Sequence, residues 1–265
     1  MGKEVGVIGN VIGFILAVII IMFLAGGALA VGERPTGSYD FLILSWLWPK
    51  AHCNTGERRC ETPIRPDFSL HGLWPAYRRS YSEPPYEEIW LVPSYSEVNG
   101  CTTIPPADSS TISSELFATY RIIDDMKLYW PDVTRCTFSS TTVNFWRIQF
   151  ARHGMCFDYP NHPIFYFMTT LHLTRKFDIR GILEEGNILP GNQYVIENIL
   201  HVIKERLGKV IRIRCNRDSS GRDQLYEIWL CINKYLKLTS CVFPTFGCPL
   251  VQEKIWYHSP HALNH

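Results

Sequence analysis

The chain has 265 residues, 46% of them hydrophobic, with nine cysteines and a formal charge of +1. That length holds one large or two small domains with ample apolar material for a core. Near-neutral charge excludes a protein that grips nucleic acid through a broad basic field, so any contact with a polyanion is expected to be local and transient.

Residues 1–30 read as a secretory signal peptide. Lys3 precedes the apolar run Val11–Leu24, and Ala28-Leu29-Ala30 supplies small residues at cleavage spacing. The run is shorter than the ~20 residues of a spanning helix. Counted from Val5 it lengthens, which leaves an uncleaved anchor as the alternative. The mature chain is expected from about Val31, as one domain over 31–265 with its core at about 39–250 and a polar tail after it. There is no Asn-x-Ser/Thr sequon in the chain, so conventional N-glycosylation is not expected.

Tyr39–Trp48 is β-branched and aromatic enough for a buried strand, stopped by Pro49. Cys53–Cys60 is a polar loop. In Asp67–Pro75 the alternation puts Phe68, Leu70 and Gly72 on one face of a strand and Ser69, His71 and Leu73 on the other. Residues 77–110 are rich in Tyr, Pro and Ser and predict a long surface excursion that forms one wall of a cleft. Ser113 or Ser114 caps a helix to about Tyr129, with Leu116, Tyr120, Ile123 and Lys127 at helical spacing, and Trp130-Pro131 ends it.

Phe145–Cys156 is the stretch with the densest chemistry. As a helix it places Gln149, Arg152 and His153 on one face, while Trp146 and Phe150 pin it to a core. Gly154 allows close approach of a backbone or ligand. An imidazole between a cation and an amide suits proton transfer near a negative group, although a buried structural histidine is as common. Helices are predicted over Pro163–Lys176, with Phe167, Leu171 and Leu173 inward, over Ile179–Glu185, and over Asn192–Leu207, closed by Gly208. Strands Lys209–Asn216 and Leu225–Ile232 flank the turn Asp218–Gly221. The tail after Leu250 reads as polar, and His258, His261 and His265 in it as solvated rather than metal ligands. No repeat or linker divides the domain.

Two segments together, Phe68-Ser-Leu-His-Gly-Leu-Trp-Pro75 and Phe145-Trp146 with His153-Gly154 and Cys156, resemble the paired active-site motifs of the ribonuclease T2 family. The resemblance implies an α+β fold, with a central antiparallel sheet packed against several helices and stapled by disulfides; the family opens its domain with a strand like Tyr39–Trp48. It implies disulfides Cys101–Cys156 and, nested, Cys215–Cys248 and Cys231–Cys241. Cys53–Cys60 is the preferred fourth pair, leaving Cys136 free; Cys60–Cys136, leaving Cys53 free, is the competing choice.

The resemblance casts His153 as base and His71 as acid in attack of the ribose 2′-hydroxyl on the adjacent phosphate, chemistry that needs no metal or other cofactor. Where the family has Glu and Lys to stabilise the phosphorane, this chain has Gln149 and Arg152. Ile148 replaces a frequent substrate-binding His. Trp74, Phe145 and Tyr77 or Tyr81 are candidates for stacking a base, Phe145 being as readily a plain core aromatic. Ala76 stands where some relatives carry an acidic base-reading residue. The expected protein is a secreted, monomeric, metal-independent endoribonuclease acting on single-stranded RNA and not DNA, outside the cell or in an endomembrane lumen such as the vacuole. Its activity is expected to be reduced by Gln149 and Arg152. The alternative is a catalytically impaired relative that binds RNA or protein.

Overall fold

The computed structural model describes residues 37–57, 59–83 and 87–261; the expected leader and His265 lie outside them. Phe41–Leu47 (β1) is apolar on both sides, so the chain has to cover both faces, and every residue in it is buried. Its neighbours are Ser69–Ser80 (β2) and Asp223–Asn233 (β6), both antiparallel to it. Glu87–Leu91 (β3) extends the sheet beyond β2, and Arg212–Arg217 (β5) and Thr245–Phe246 (β8) extend it beyond β6, giving the order β3-β2-β1-β6-β5-β8. Leu238–Thr239 (β7), Asn192–Val195 (β4) and Lys254–Tyr257 (β9) attach at the β6 side. The sheet is antiparallel except where β5 meets β8 and β6 meets β9, which pair parallel.

The helices are Pro49–Cys53 (α1), Ser114–Thr119 (α2), Ile123–Tyr129 (α3), Ser140–Arg152 (α4), Pro163–Thr174 (α5), Ile179–Glu185 (α6) and Ile196–Leu207 (α7). Leu42, Leu44, Leu70, Leu73, Ile228 and Leu230 of the sheet share the main core with Phe117, Met126, Trp146, Phe150, Phe167 and Ile199 of the helices. Phe41, Ile43, Trp74, Ala76 and Trp229 form a smaller cluster. Their alternation with the first set places them on the opposite face of the sheet.

Several expectations need correction. The helix from Ser113 to Tyr129 is two helices, because Arg121 turns left-handed at φ 56°. The turn lets Ile122 and Met126 bury beside Phe117 while Tyr120 stays exposed. Asn192–Val195 is a strand rather than helix, since it can pair with β9. The surface excursion begins as a hairpin: β2 runs on to Ser80 and β3 returns beside it, with Tyr77 opposite Trp90. The polar tail hides an alternating strand. In β9, Ile255 and Tyr257 are fully buried, and His258 lies 3.2 Å from Asp218 while its carbonyl accepts from Trp48 Nε1. His261 is exposed. Other element ends move by a few residues. Among the described residues no helix is long and apolar enough to cross a membrane.

Four disulfides close the fold: Cys53–Cys60, Cys101–Cys156, Cys215–Cys248 and Cys231–Cys241. Cys136 is a free, exposed thiol.

Candidate active site

The alternation expected through the first motif breaks at the residue that matters. Ser45 pairs with Gly72 and Trp46 with Leu70, so His71 is the extra residue of a β-bulge. A second bulge lies across the sheet, where Arg214 pairs with Glu227 and Cys215 with Leu225, leaving Tyr226 over. A bulge re-aims a side chain that strict pleating would send elsewhere. Here it brings His71 Nδ1 to 2.7 Å from Oε1 of Glu227, whose side chain is wholly buried. Glu227 Oε2 accepts from Trp229 Nε1 at 2.6 Å and faces Arg214 Nη1 at 3.3 Å. Burial alone would push the Glu227 carboxyl up. The opposed His71 and Arg214 charges and the bonds from His71 and Trp229 outweigh it and hold the group below the usual range.

The second motif arrives on α4. Trp146 and Phe150, both fully buried, pin that helix to the core. Trp146 Nε1 donates to the Trp130 carbonyl at 2.7 Å, and Trp130 Nε1 donates to the His71 carbonyl at 3.0 Å. The helix is thereby tied to the bulge through one tryptophan. His153 caps α4, and the Cys101–Cys156 bridge fastens the segment just beyond it.

Trp74 lies against both histidines, its ring 5.0 Å from that of His71 and 5.4 Å from that of His153. Its Nε1 points to Gln149 Oε1 at 3.5 Å. Gly72 is required for this approach: a Cβ there would stand 2.4 Å from Trp74 Nε1 and 2.6 Å from Gln149 Oε1. Gly154 has a different task from the one expected, since its bare Cα faces the Phe150 and Tyr166 rings. His153 is half-buried, and its Nδ1 is buried without a hydrogen-bond partner. Burial first, then the His71 and Arg152 charges, push its imidazole down to about 3. His153 is thus a neutral ring at any ordinary pH.

Leu47, His52, His71, Phe145, Ile148, Gln149 and Arg152 line a cleft of about 210 Å³ whose other wall is Pro131–Thr134. Arg152 is exposed at its rim and Gln149 buried in its floor. Of the expected stacking residues, Phe145 lines this cleft and Trp74 sits beneath the histidines. Tyr77 packs instead against the main core, and Tyr81, exposed, bonds to Glu88 at the hairpin. Both lie apart from the cleft because the hairpin carries them away along the sheet. The second wall comes from the segment after α3, not from residues 77–110.

Sequence reasoning missed Glu227, which stands in an apolar strand run where alternation alone marks it as one polar residue among many. It also missed His52, whose Nδ1 lies 3.1 Å from the Tyr226 hydroxyl. Among the described residues no group of three His, Cys, Asp or Glu side chains is placed to hold a metal ion.

Residues 39–241 match the sequence profile of the Ribonuclease T2 family. The chain belongs to that family. It is 34% identical to Ribonuclease 1 of Arabidopsis thaliana over 79% of this chain and 84% of that one. With Extracellular ribonuclease LE and Intracellular ribonuclease LX of Solanum lycopersicum it shares 31%, over 79% of its own length and 84% and 80% of theirs. RNase NT, solved in complex with 5′-AMP, superposes with a TM-score of 0.60 at 28% identity, covering 84% of this chain and 99% of that one. The bitter gourd seed ribonuclease MC1, at 20% identity, shares the fold with a TM-score of 0.61 over 83% of this chain and 100% of its own. His71 lines the cleft, and Ile148, Gln149 and Arg152, the positions expected from the motif resemblance to depart from the family pattern, all lie on its α4 wall.

Proposed function

We propose that this chain is a secreted endoribonuclease that cleaves single-stranded RNA by transphosphorylation. The observation that carries the reading is the pair of imidazoles in opposite surroundings, His71 against a buried carboxylate and His153 held neutral. Neutral His153 removes the 2′-hydroxyl proton. The oxygen then attacks phosphorus as the P–O5′ bond breaks, and His71, as imidazolium, gives its proton to the departing 5′ oxygen. The products are a 2′,3′-cyclic phosphate and a free 5′-hydroxyl. Because RNA carries its own nucleophile, the reaction requires no metal, and DNA, lacking the 2′-hydroxyl, is not a substrate. Arg152 at the rim supplies charge for the phosphate, and Phe145 offers a ring for a base.

Activity is set below that of a Glu/Lys relative by Gln149, which offers no negative charge and no proton relay, and by the altered geometry of Arg152. Secretion rests on the leader over residues 1–30; one of the tomato relatives is named extracellular and the other intracellular. N-terminal sequencing of the protein from its native source tests that part, and a retained Met1 would overturn it. The purified chain, incubated with single-stranded RNA and EDTA, is expected to yield cyclic phosphate ends while leaving DNA intact. Complete failure to cut RNA would overturn the enzyme reading and leave a binding factor.

A further inference from the structure

We infer that Glu227 is the positioning residue of His71, dictating which ring nitrogen is protonated and which one meets the substrate. The inference rests on the proposed acid role of His71 and goes beyond it. The groups on the page leave little freedom. Glu227 comes from β6, wholly buried, with Oε1 on His71 Nδ1 at 2.7 Å and Oε2 on Trp229 Nε1 at 2.6 Å and Arg214 Nη1 at 3.3 Å. Every neighbour of the carboxylate is a donor, so it is fully used as an acceptor and His71 Nδ1 has to carry its proton. Nε2 is then the nitrogen left for the cleft. Arg214, itself half-exposed and stacked near the Trp229 and Phe246 rings, fixes the far end of the carboxylate.

The arrangement is a histidine oriented by an ionised, buried partner, built from three strands that meet only in the folded sheet. The bulge at His71 is what makes it reachable, since regular pleating of β2 would not bring Nδ1 to Glu227. Other charged or titratable groups around the cleft are His153 and Arg152 from α4, His52 from α1 and Asp132 from the opposite wall.

Glu227→Gln is informative because an amide cannot satisfy the same neighbours. Trp229 and Arg214 both donate toward one end, so the amide oxygen must sit there and the NH2 must face His71 Nδ1. The ring would then have to accept at Nδ1, which selects the neutral form with its proton on Nε2, a far poorer acid. Glu227→Asp keeps the charge at a shorter reach.

The test compares two substrates. A dinucleotide leaves as a ribose 5′ oxygen and needs the acid; a nucleoside 3′-(4-nitrophenyl phosphate) leaves as a stable phenolate and does not. Glu227→Gln is expected to lower kcat on the dinucleotide by ~100-fold or more and on the nitrophenyl ester by less than ~10-fold. Glu227→Asp should recover part of the first loss. In parallel, 15N spectra of the histidine rings should move His71 from Nδ1–H in the parent to the neutral Nε2–H form in Glu227→Gln. Equal losses on both substrates, or an unchanged His71 tautomer, would overturn the inference. Should Glu227→Gln fail to fold, Glu227→Asp decides by the same substrate ratio. If the parent cuts neither substrate, the proposed function falls, while the ring spectra still decide the role of Glu227.

Discussion

The sheet and helix α4 each hold a motif histidine, in opposite surroundings. On the sheet side, His71 is partly open to solvent and bonded to an ionised carboxylate that has two further donors behind it. On the helix side, His153 caps α4 with its Nδ1 buried and unpartnered, beside a neutral Gln149 and a positive Arg152. His71 Nδ1 meets a carboxylate oxygen, while burial and the neighbouring charges keep the His153 ring neutral. The proposed division into acid and base rests on this difference of surroundings, without any change of residue type. The three positions expected from the motif resemblance to depart from the family pattern, Ile148, Gln149 and Arg152, are all on the helix side, and the carboxylate partner is on the sheet side.

The strongest way to break the comparison is to remove either ring. His71→Asn or His153→Asn is expected to lower RNA cleavage ~100–10,000-fold, because Asn neither takes nor delivers a proton. Only His71→Asn should be rescued by the nitrophenyl ester; rescue of both would dissolve the division of roles.

Next in size is the brace on the helix side. Replacing Cys101 and Cys156 together by Ser removes a bridge that closes a 55-residue separation and should lower stability by about 2–4 kcal/mol. Thermal unfolding measures it. A loss no larger than that of an exposed serine substitution would show that α4 is held by Trp146 and Phe150 alone.

Gln149→Glu sharpens the comparison by giving the helix side a carboxylate of its own. The negative charge would favour the His153 imidazolium, so the base form appears only at higher pH and the acidic limb of the rate profile moves up. The maximal rate is expected to rise about tenfold, as a stabilising group for the phosphorane is restored. A higher limb without a faster maximum would mean that Gln149 already does the work of the acid form.

The His153 surroundings also predict a pH dependence of stability. Its folded value is about 3 against an ordinary 6.5, so between those pH values the unfolded chain binds more protons. Stability is full above 6.5 and declines as pH falls through this window. The decline in Tm from neutral to acidic pH should be shallower in His153→Asn than in the parent; parallel curves would contradict the burial of the ring. Smallest of all, Cys136→Ser is expected to change stability by no more than ~0.5 kcal/mol, since that thiol is exposed and outside the four bridges.

The sequence by itself determined what short-range regularity can carry. The apolar run of β1, the spacing of Trp146 and Phe150 on α4, and the two histidine motifs each depend on residues within one or two turns or strand repeats. Local physics suffices for them, and the T2 family resemblance supplied the overall architecture and three of the four cysteine pairings, Cys101–Cys156, Cys215–Cys248 and Cys231–Cys241. Tertiary structure alone decided the rest. Residues 192–195 are strand because β9 is there to pair with them, and residues 114–129 break at Arg121 because Phe117, Ile122 and Met126 must reach one core. The bulge at His71 exists only against β1, and Glu227 stands 156 residues away from the ring it faces. A buried glutamate in an apolar strand has no periodicity to announce it. Its meaning comes from a donor on β2, one strand beyond its neighbour β1, and that placement is chosen by sheet pairing, which no local pattern encodes.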